Sequence, residues 1–172
     1  MDSILGAFAS YIIGSVSFPG TYARIRGINL WKDGEGHLGA TSIYRATGSV
    51  VVFLTLGILD AAKGFVAYHL FGIWGLIFAM VGHMFPVFFK FRGGNAVSVY
   101  YGGLFAVNPI LVIACAGSEP LMSHIIRNRW RHAVYLVIRT IPAALYPKVL
   151  GAYAVLLVRH LWFYHTRNIR TG

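Results

Sequence analysis

The sequence predicts an all-α fold: a polytopic membrane helix bundle of about seven short transmembrane helices. Composition points there first. Apolar residues make up 57% of the 172-residue chain, charged residues only 12%, and the mean hydropathy is +0.65. An ordinary soluble domain carries about twice that share of charge, ~25%. The second observation is spacing, because the apolar residues come in runs near the ~20 residues a helix needs to cross a bilayer core. The third is the placement of the basic residues between those runs. With no internal repeat and no Ser/Pro-rich linker, residues 1–172 are expected to form a single integral membrane domain.

The first run covers residues 4–22 and closes on Ser15, Ser17 and Pro19, followed by Arg24 and Arg26. No basic segment precedes it, so a span is expected there and not a cleaved signal. The second run, 48–71, carries Asp60 and Lys63 on one helix face. The third, 73–89, ends in Gly82-His83-Met84-Phe85-Pro86, and Lys90 and Arg92 come next. Residues 97–117 form one span or break at Asn108–Pro109, since Pro interrupts helices and Asn-Pro starts turns. The positive-inside tendency decides between these. Five spans would strand Arg127, Arg129, Arg131, Arg139 and Lys148 in one outer loop. Seven spans, turning outside at Asn108–Pro109 and at 142–148, put twelve of the fifteen Lys and Arg on the cytoplasmic face. The protein is then multi-pass in the inner or plasma membrane of a cell. Its N-terminus is outside, and its polar loops and C-terminus are cytoplasmic. The net charge of +10 follows from this topology and requires no nucleic acid.

The polar stretch 27–45 reads Gly-Ile-Asn-Leu-Trp-Lys-Asp-Gly-Glu-Gly-His-Leu-Gly-Ala-Thr-Ser-Ile-Tyr-Arg. Gly34, Gly36 and Gly39 let the backbone visit positive φ and present consecutive N–H groups. If a helix starts at Ala40, its N-terminus adds to an anion site around His37, Thr41 and Ser42, and Arg45 supplies a fixed cation. The plain alternative is a solvated connection between two spans. Gly93-Gly94-Asn95 is a second candidate backbone anion site. Near the end of the chain, His165 and Asn168 lie one helical turn apart and can face the same cavity.

Asp60 and Lys63 would each cost roughly 2.5–3.5 kcal/mol in lipid at mid-span, so a structural ion pair inside the bundle is expected. Glu119 and Arg139 are a further candidate pair, and His83 fits a hydrogen bond within the bundle. No His pair or Cys cluster has metal-ligand spacing, so neither metal nor cofactor is expected. The single Cys115 gives no disulfide framework, and the absence of G-x-S-x-G argues against a hydrolase-type serine.

Taken in order, these segments resemble the bacterial membrane acyl-phosphate:glycerol-3-phosphate acyltransferase family. Gly14-Ser15-Val16-Ser17 stands at that family's G-S-I-P. Residues 27–45 match, without gaps, its G-x-D-x-R-x-x-G-S-G-N-x-G-A-T-N-x-x-R. Asp60, Lys63 and Gly64 match D-x-x-K-G, and Gly82, His83, Phe85, Pro86 and Phe88 match G-H-x-F-P-x-F. Gly93, Gly94 and Val97 keep part of G-G-K-G-V-A-T, and His165, Asn168 and Ile169 match H-x-x-N-I. The resemblance implies a seven-helix bundle with its motifs at the cytoplasmic face. It implies transfer of an acyl group from acyl-phosphate to glycerol 3-phosphate, giving lysophosphatidic acid for phospholipid biosynthesis, in the lipid bilayer and without a cofactor. The implied catalytic residues are Arg45, His165 and Asn168. The implied substrate-binding residues are Gly34, Gly36, His37, Gly39, Thr41, Ser42, Gly93, Gly94 and Asn95.

The chain departs from the pattern where Asn29 stands for Asp, Trp31 for Arg, Glu35 for Ser, His37 for Asn and Ser42 for Asn. Asn95 replaces the Lys of G-G-K-G, and Ala96 the following Gly. Asn95 removes a cation and Glu35 adds an anion, and both changes weaken anion binding. Three readings stand at this point: an active acyltransferase, a non-catalytic paralogue that binds lipid or a membrane partner, and a small-solute transporter. Only the intramembrane charges support the last.

Overall fold

The structure is a computed structural model that describes residues 2–125 and 131–171, with side chains described except at residues 2, 3, 111, 119–134, 136 and 163–171. Among the described residues there is no strand. The helices are α1 (Asp2–Ser15), α2 (Phe18–Arg26), α3 (Ala40–Thr47), α4 (Val50–Met84), α5 (Val97–Val107), α6 (Pro109–Ile125), α7 (Arg131–Leu145) and α8 (Leu150–Thr171).

Local chemistry sets the breaks. The first apolar run is two helices, not one. Ser17 is extended, its Oγ accepts from the Gly20 N–H at 3.1 Å, and Pro19 sits in the first turn of α2. A capping side chain and an early proline together start a new helix. In α4, Gly72 has φ 63° and ψ −151°, a conformation open essentially to glycine alone. It folds α4 into two antiparallel arms, 50–71 and 73–84. Lys63 Nζ lies 3.2 Å from His83 Nδ1, twenty residues on; a straight helix would hold such residues about 30 Å apart.

The second arm stops at Met84, short of residue 89, because Pro86 cannot donate to the ladder; a 3₁₀ turn, Val87–Phe89, follows. The chain does break at Asn108, whose Nδ2 donates to Tyr146 Oη at 2.7 Å. Pro142 lies inside α7 and not in a turn, and the chain reverses after it through Tyr146 and the 3₁₀ turn Pro147–Val149. Among the described residues seven longer helical segments result, namely α1, the two arms of α4, and α5 to α8, with α2 and α3 as short additions.

The larger core joins the second arm to α5 and α8 through Leu76, Met80, Val99, Tyr100 and Leu156. A smaller core of Ala23, Leu30, Leu38, Ile43 and Leu56 lies under the 27–39 loop and pegs it down. The outside is apolar: Ile4 is 78% exposed, Trp74 67% and Ile110 80%, with Ile58 and Val158 similar. Such a surface is wrong for water and right for lipid.

Without a hydrophobic drive between helices in lipid, close packing rests on small residues. A Cβ at Gly64 would strike the Val99 carbonyl, and one at Gly102 the Ala61 carbonyl, where the first arm meets α5. Gly14 and Gly82 serve the α1 contact with the second arm in the same way. Gly64→Val is therefore expected to lose about 1–3 kcal/mol or more of stability through overpacking. Gly117→Ala, where nothing lies within 4 Å of the added carbon, should be near neutral. Thermal unfolding in detergent compares the two, and equal midpoints would overturn this packing.

Candidate active site

The gap between α1 and α2 leaves the carbonyls at the end of α1 without helical partners. Lys63, from the first arm of α4, takes up two of them, donating to Gly14 O at 3.4 Å and Val16 O at 2.5 Å. The same Nζ pairs with Asp60 Oδ1 at 2.7 Å and donates to His83 Nδ1 at 3.2 Å, so its three N–H groups serve four acceptors and the 3.4 Å contact to Gly14 O is a shared one. An ammonium only donates, so Nδ1 accepts and His83 carries its proton on Nε2. Asp60, Lys63 and His83 are all buried.

His83 leads on to the glycine turn. The Gly94 N–H donates to His83 O at 3.1 Å, and a Cβ at Gly94 would collide with the His83 ring and the Leu38 carbonyl. The Leu38 N–H donates to Gly93 O at 3.1 Å, which fastens the 27–39 loop to this turn. From α8, Arg159 Nε donates to Gly94 O at 3.3 Å, and its guanidinium lies 5.3 Å from the Trp162 ring and 5.7 Å from the Phe85 ring.

Within the loop, Gly36 has φ 78° and its N–H donates to Leu30 O at 3.0 Å, while the Glu35 N–H donates to Ser42 Oγ at 2.7 Å. The Glu35 carboxylate bridges two groups: Oε2 is 3.1 Å from Nε2 of buried His37, and Oε1 forms an ion pair with Arg45 Nε. The hydrogen bond from His37 is the main reason the Glu35 carboxyl is held down to about 2. Burial opposes the shift, and the charges of His37 and Arg45 and a bond from Thr41 add to it. Helix α3 does begin at Ala40, with no side chain capping it.

The glycine pattern suggested an open row of amides for an anion. That expectation is corrected at Gly36 and Gly94, because the amides of Glu35, Gly36, Leu38 and Gly94 all donate within the protein. The glycines act through space instead: a Cβ at Gly34 would meet Ser42 Oγ, and one at Gly39 the His37 ring. The structure places Gly34, Gly36, His37 and Gly39 on one loop, sets Thr41, Ser42 and Arg45 on α3 directly after it, and joins that loop to Gly93 and Gly94. Asn95 stands beside them with a buried Oδ1 that has no hydrogen-bond partner among the described residues. His165 and Asn168 follow Arg159 along α8, but their side chains, like that of Glu119, lie outside the described residues. Arg159 was missed as a site residue. Its signal in the sequence was a cation within the last apolar run.

A sequence profile described as glycerol-3-phosphate acyltransferase matches residues 4–171. The chain belongs to the glycerol-3-phosphate acyltransferase family. Family members so named include one from Aquifex aeolicus, 37% identical over 126 residues (66% of this chain and 64% of that one). Another, from Agrobacterium fabrum, is 33% identical and covers 96% of this chain and 86% of its own. The chain spans 64% of the length of the Aquifex relative and of one from Wolbachia sp. subsp. Brugia malayi. Among solved structures, the chain is similar to PlsY (YgiH), an integral membrane glycerol 3-phosphate acyltransferase, in its glycerol 3-phosphate form. The TM-score is 0.73 at 28% identity, over 99% of this chain and 91% of that one. The lysophosphatidic acid form of PlsY gives 0.71 at 26%. This family member is thus a polytopic membrane helix bundle.

Two outcomes are expected at this site. Lys63→Met alone leaves Asp60 as an unpaired buried charge, a loss of about 3–5 kcal/mol, whereas pairing it with Asp60→Asn should recover much of that. Folded yield and thermal midpoint measure the contrast, and equal tolerance of single and double variants would sink the structural pairing. The second concerns pH. The folded value of Glu35, about 2, lies below its ordinary 4.5, so the ionised form stabilises the fold. That contribution is whole above about pH 4.5 and disappears as pH falls toward 2. The midpoint gap between the native chain and Glu35→Gln should shrink over that window, and a gap constant down to pH 2 contradicts the assignment.

Proposed function

We propose that this chain transfers the acyl group of an acyl-phosphate to the first hydroxyl of glycerol 3-phosphate, releasing inorganic phosphate and lysophosphatidic acid. The observation that carries this is the junction itself. In a bundle of this family, the loop that bears His37 and leads into Thr41, Ser42 and Arg45 on α3 is fastened to Gly93–Gly94, and α8 closes on the same turn through Arg159. In this reading Arg45, His165 and Asn168 hold phosphate oxygens. Residues 34–42, together with Gly93, Gly94 and Asn95, shape the pocket around them. A mixed anhydride is already activated, so the alcohol oxygen attacks the acyl carbon directly and the C–O bond to phosphate breaks, the hydroxyl proton leaving on the released phosphate, with no covalent protein intermediate. Positioning two anionic substrates and stabilising the oxyanion supply the acceleration.

The acyl chain has a path in an apolar groove of about 900 Å³ between α1 and the second arm of α4, where Phe8, Tyr11, Trp74 and Phe78 line it. In the proposed arrangement residues 1–172 form one domain of the cell membrane, with the N-terminus outside and the motif loops and C-terminus cytoplasmic. Asp60 and Lys63 serve structure there.

One observation favours a second reading. Arg45, the cation proposed for phosphate, is already engaged by Glu35, and Asn95 offers no cation in compensation. A non-catalytic paralogue that binds lipid or a membrane partner would tolerate both.

Lysophosphatidic acid formation by the purified protein, given acyl-phosphate and glycerol 3-phosphate, separates the two. Turnover is expected, and Glu35→Ser with Asn95→Lys should raise the rate at low glycerol 3-phosphate. Freeing one charge-assisted bond worth ~1.5–3 kcal/mol corresponds to about tenfold or more. Arg45→Gln should lower the rate by a similar factor. No product from either the native chain or the double variant, with both folded, would establish the non-catalytic reading.

A further inference from the structure

Beside the junction, on the other side of its loop, a pocket of about 440 Å³ opens between α2, Ile28, Leu30, Trp31 and Leu38 of the 27–39 loop, and the turn after Pro86. Arg24, Lys90 and Arg92 line it, Phe89 and Trp31 wall it, and buried Leu30 and Leu38 form its floor. Among the described residues no carboxylate pairs with any of the three cations. The nearest acidic residue along the loop, Asp33, accepts from the Asn29 N–H through Oδ2 at 3.2 Å. Arg24 is held in place: its guanidinium stacks 4.0 Å from the Phe89 ring and donates to Phe88 O at 3.2 Å. The turn is held too. Phe89 and Phe91 N–H both donate to Pro86 O at 3.0 Å, and Lys90 and Phe91 take left-handed φ of 53° and 58°. Two such residues in succession are uncommon outside glycine and persist only where surrounding structure fixes them.

The surroundings name the solvent. Ile25 is 79% exposed, Phe88 53% and Phe91 59%, side chains that belong in the interfacial layer of a bilayer and not in water. A soluble phosphate would gain nothing from the apolar floor or the exposed rim. A lipid phosphate would use all three parts: cations for the headgroup, aromatic walls for the glycerol region, and the rim for the acyl chains. We infer that this pocket binds the headgroup of an anionic phospholipid, at a site separate from the acyl-transfer junction. Its floor is coupled to that junction, since Leu30 O accepts from Gly36 and the Leu38 N–H donates to Gly93 O. A bound lipid therefore braces the loop from below.

The test reads binding and not turnover, so it stands whether or not the chain is an active acyltransferase. Protein in mixed micelles with equal phosphatidylglycerol and phosphatidylcholine is examined by native mass spectrometry. Phosphatidylglycerol should be retained at least about tenfold over phosphatidylcholine, a preference that three cations facing one headgroup support. Arg24→Gln with Lys90→Gln and Arg92→Gln should reduce the preference to about one. Lys90→Gln with Arg92→Gln, both exposed and clear of the Arg24 stack, should reduce it at least severalfold with an unchanged thermal midpoint. Arg26→Gln, outside the pocket, should keep it. Equal retention of the two lipids by the native chain would overturn the inference, as would a preference that survives the Lys90 and Arg92 changes. Displacement of the lipid by millimolar inorganic phosphate would assign the pocket to a soluble anion and overturn it as well.

Discussion

One buried ammonium holds the junction together. Lys63 joins the frayed end of α1, both arms of α4 and the His83 ring. The break after α1 is tolerable inside a lipid-facing bundle only because its stranded carbonyls find a donor. The donor is tolerable only because Asp60 balances its charge. From His83 the chain of contacts runs through the backbone to Gly94, then through Gly93 to Leu38, and so to the loop that leads into α3 and Arg45. The polar face of this protein is thus hung from a buried ion pair beside the end of the second arm.

Electrostatics at the upper end of that chain has a different character. There the dominant contact is a carboxylate between a histidine and an arginine, and the cation is half exposed while the acid is largely covered. Such a contact ties the loop to α3 through one carboxylate. It also means that any incoming anion meets a partner already engaged. The balance between a well-made loop and a receptive one is set here by a single side chain, Glu35.

Much of the architecture was legible because bilayer physics writes itself into sequence. The apolar runs, the charge bias and the Asn108 break follow from hydrocarbon thickness and proline chemistry. The division of the first run at Ser17 was harder to read, since a serine cap matters only when a partner such as Lys63 covers the opened carbonyls. Pro142 looked like a turn and lies within α7, because neighbouring helices can satisfy the carbonyl that a proline frees. At the site, the glycines were visible but their purpose was not. Spacing cannot distinguish an amide offered to a ligand from one spent on Leu30 O or His83 O. Arg159 reaches the site through tertiary contact, and its mark in the sequence is no more than a cation within an apolar run.

The turn at Gly72 bears on how the chain enters a membrane at all. A hairpin closed by one residue brings Lys63 and His83 together as soon as both arms exist, without waiting for α5 to α8. Lys63, in mid-span, would be a heavy load for its arm, and Asp60 balances it from one turn away on that same arm. Inserting as a hairpin, the ion pair also gains the His83 Nδ1 acceptor through a contact short along the chain, the kind that forms early. The glycine that makes the hairpin so tight therefore serves insertion as well as the finished fold: it gives a buried ammonium one more acceptor before the rest of the bundle is present.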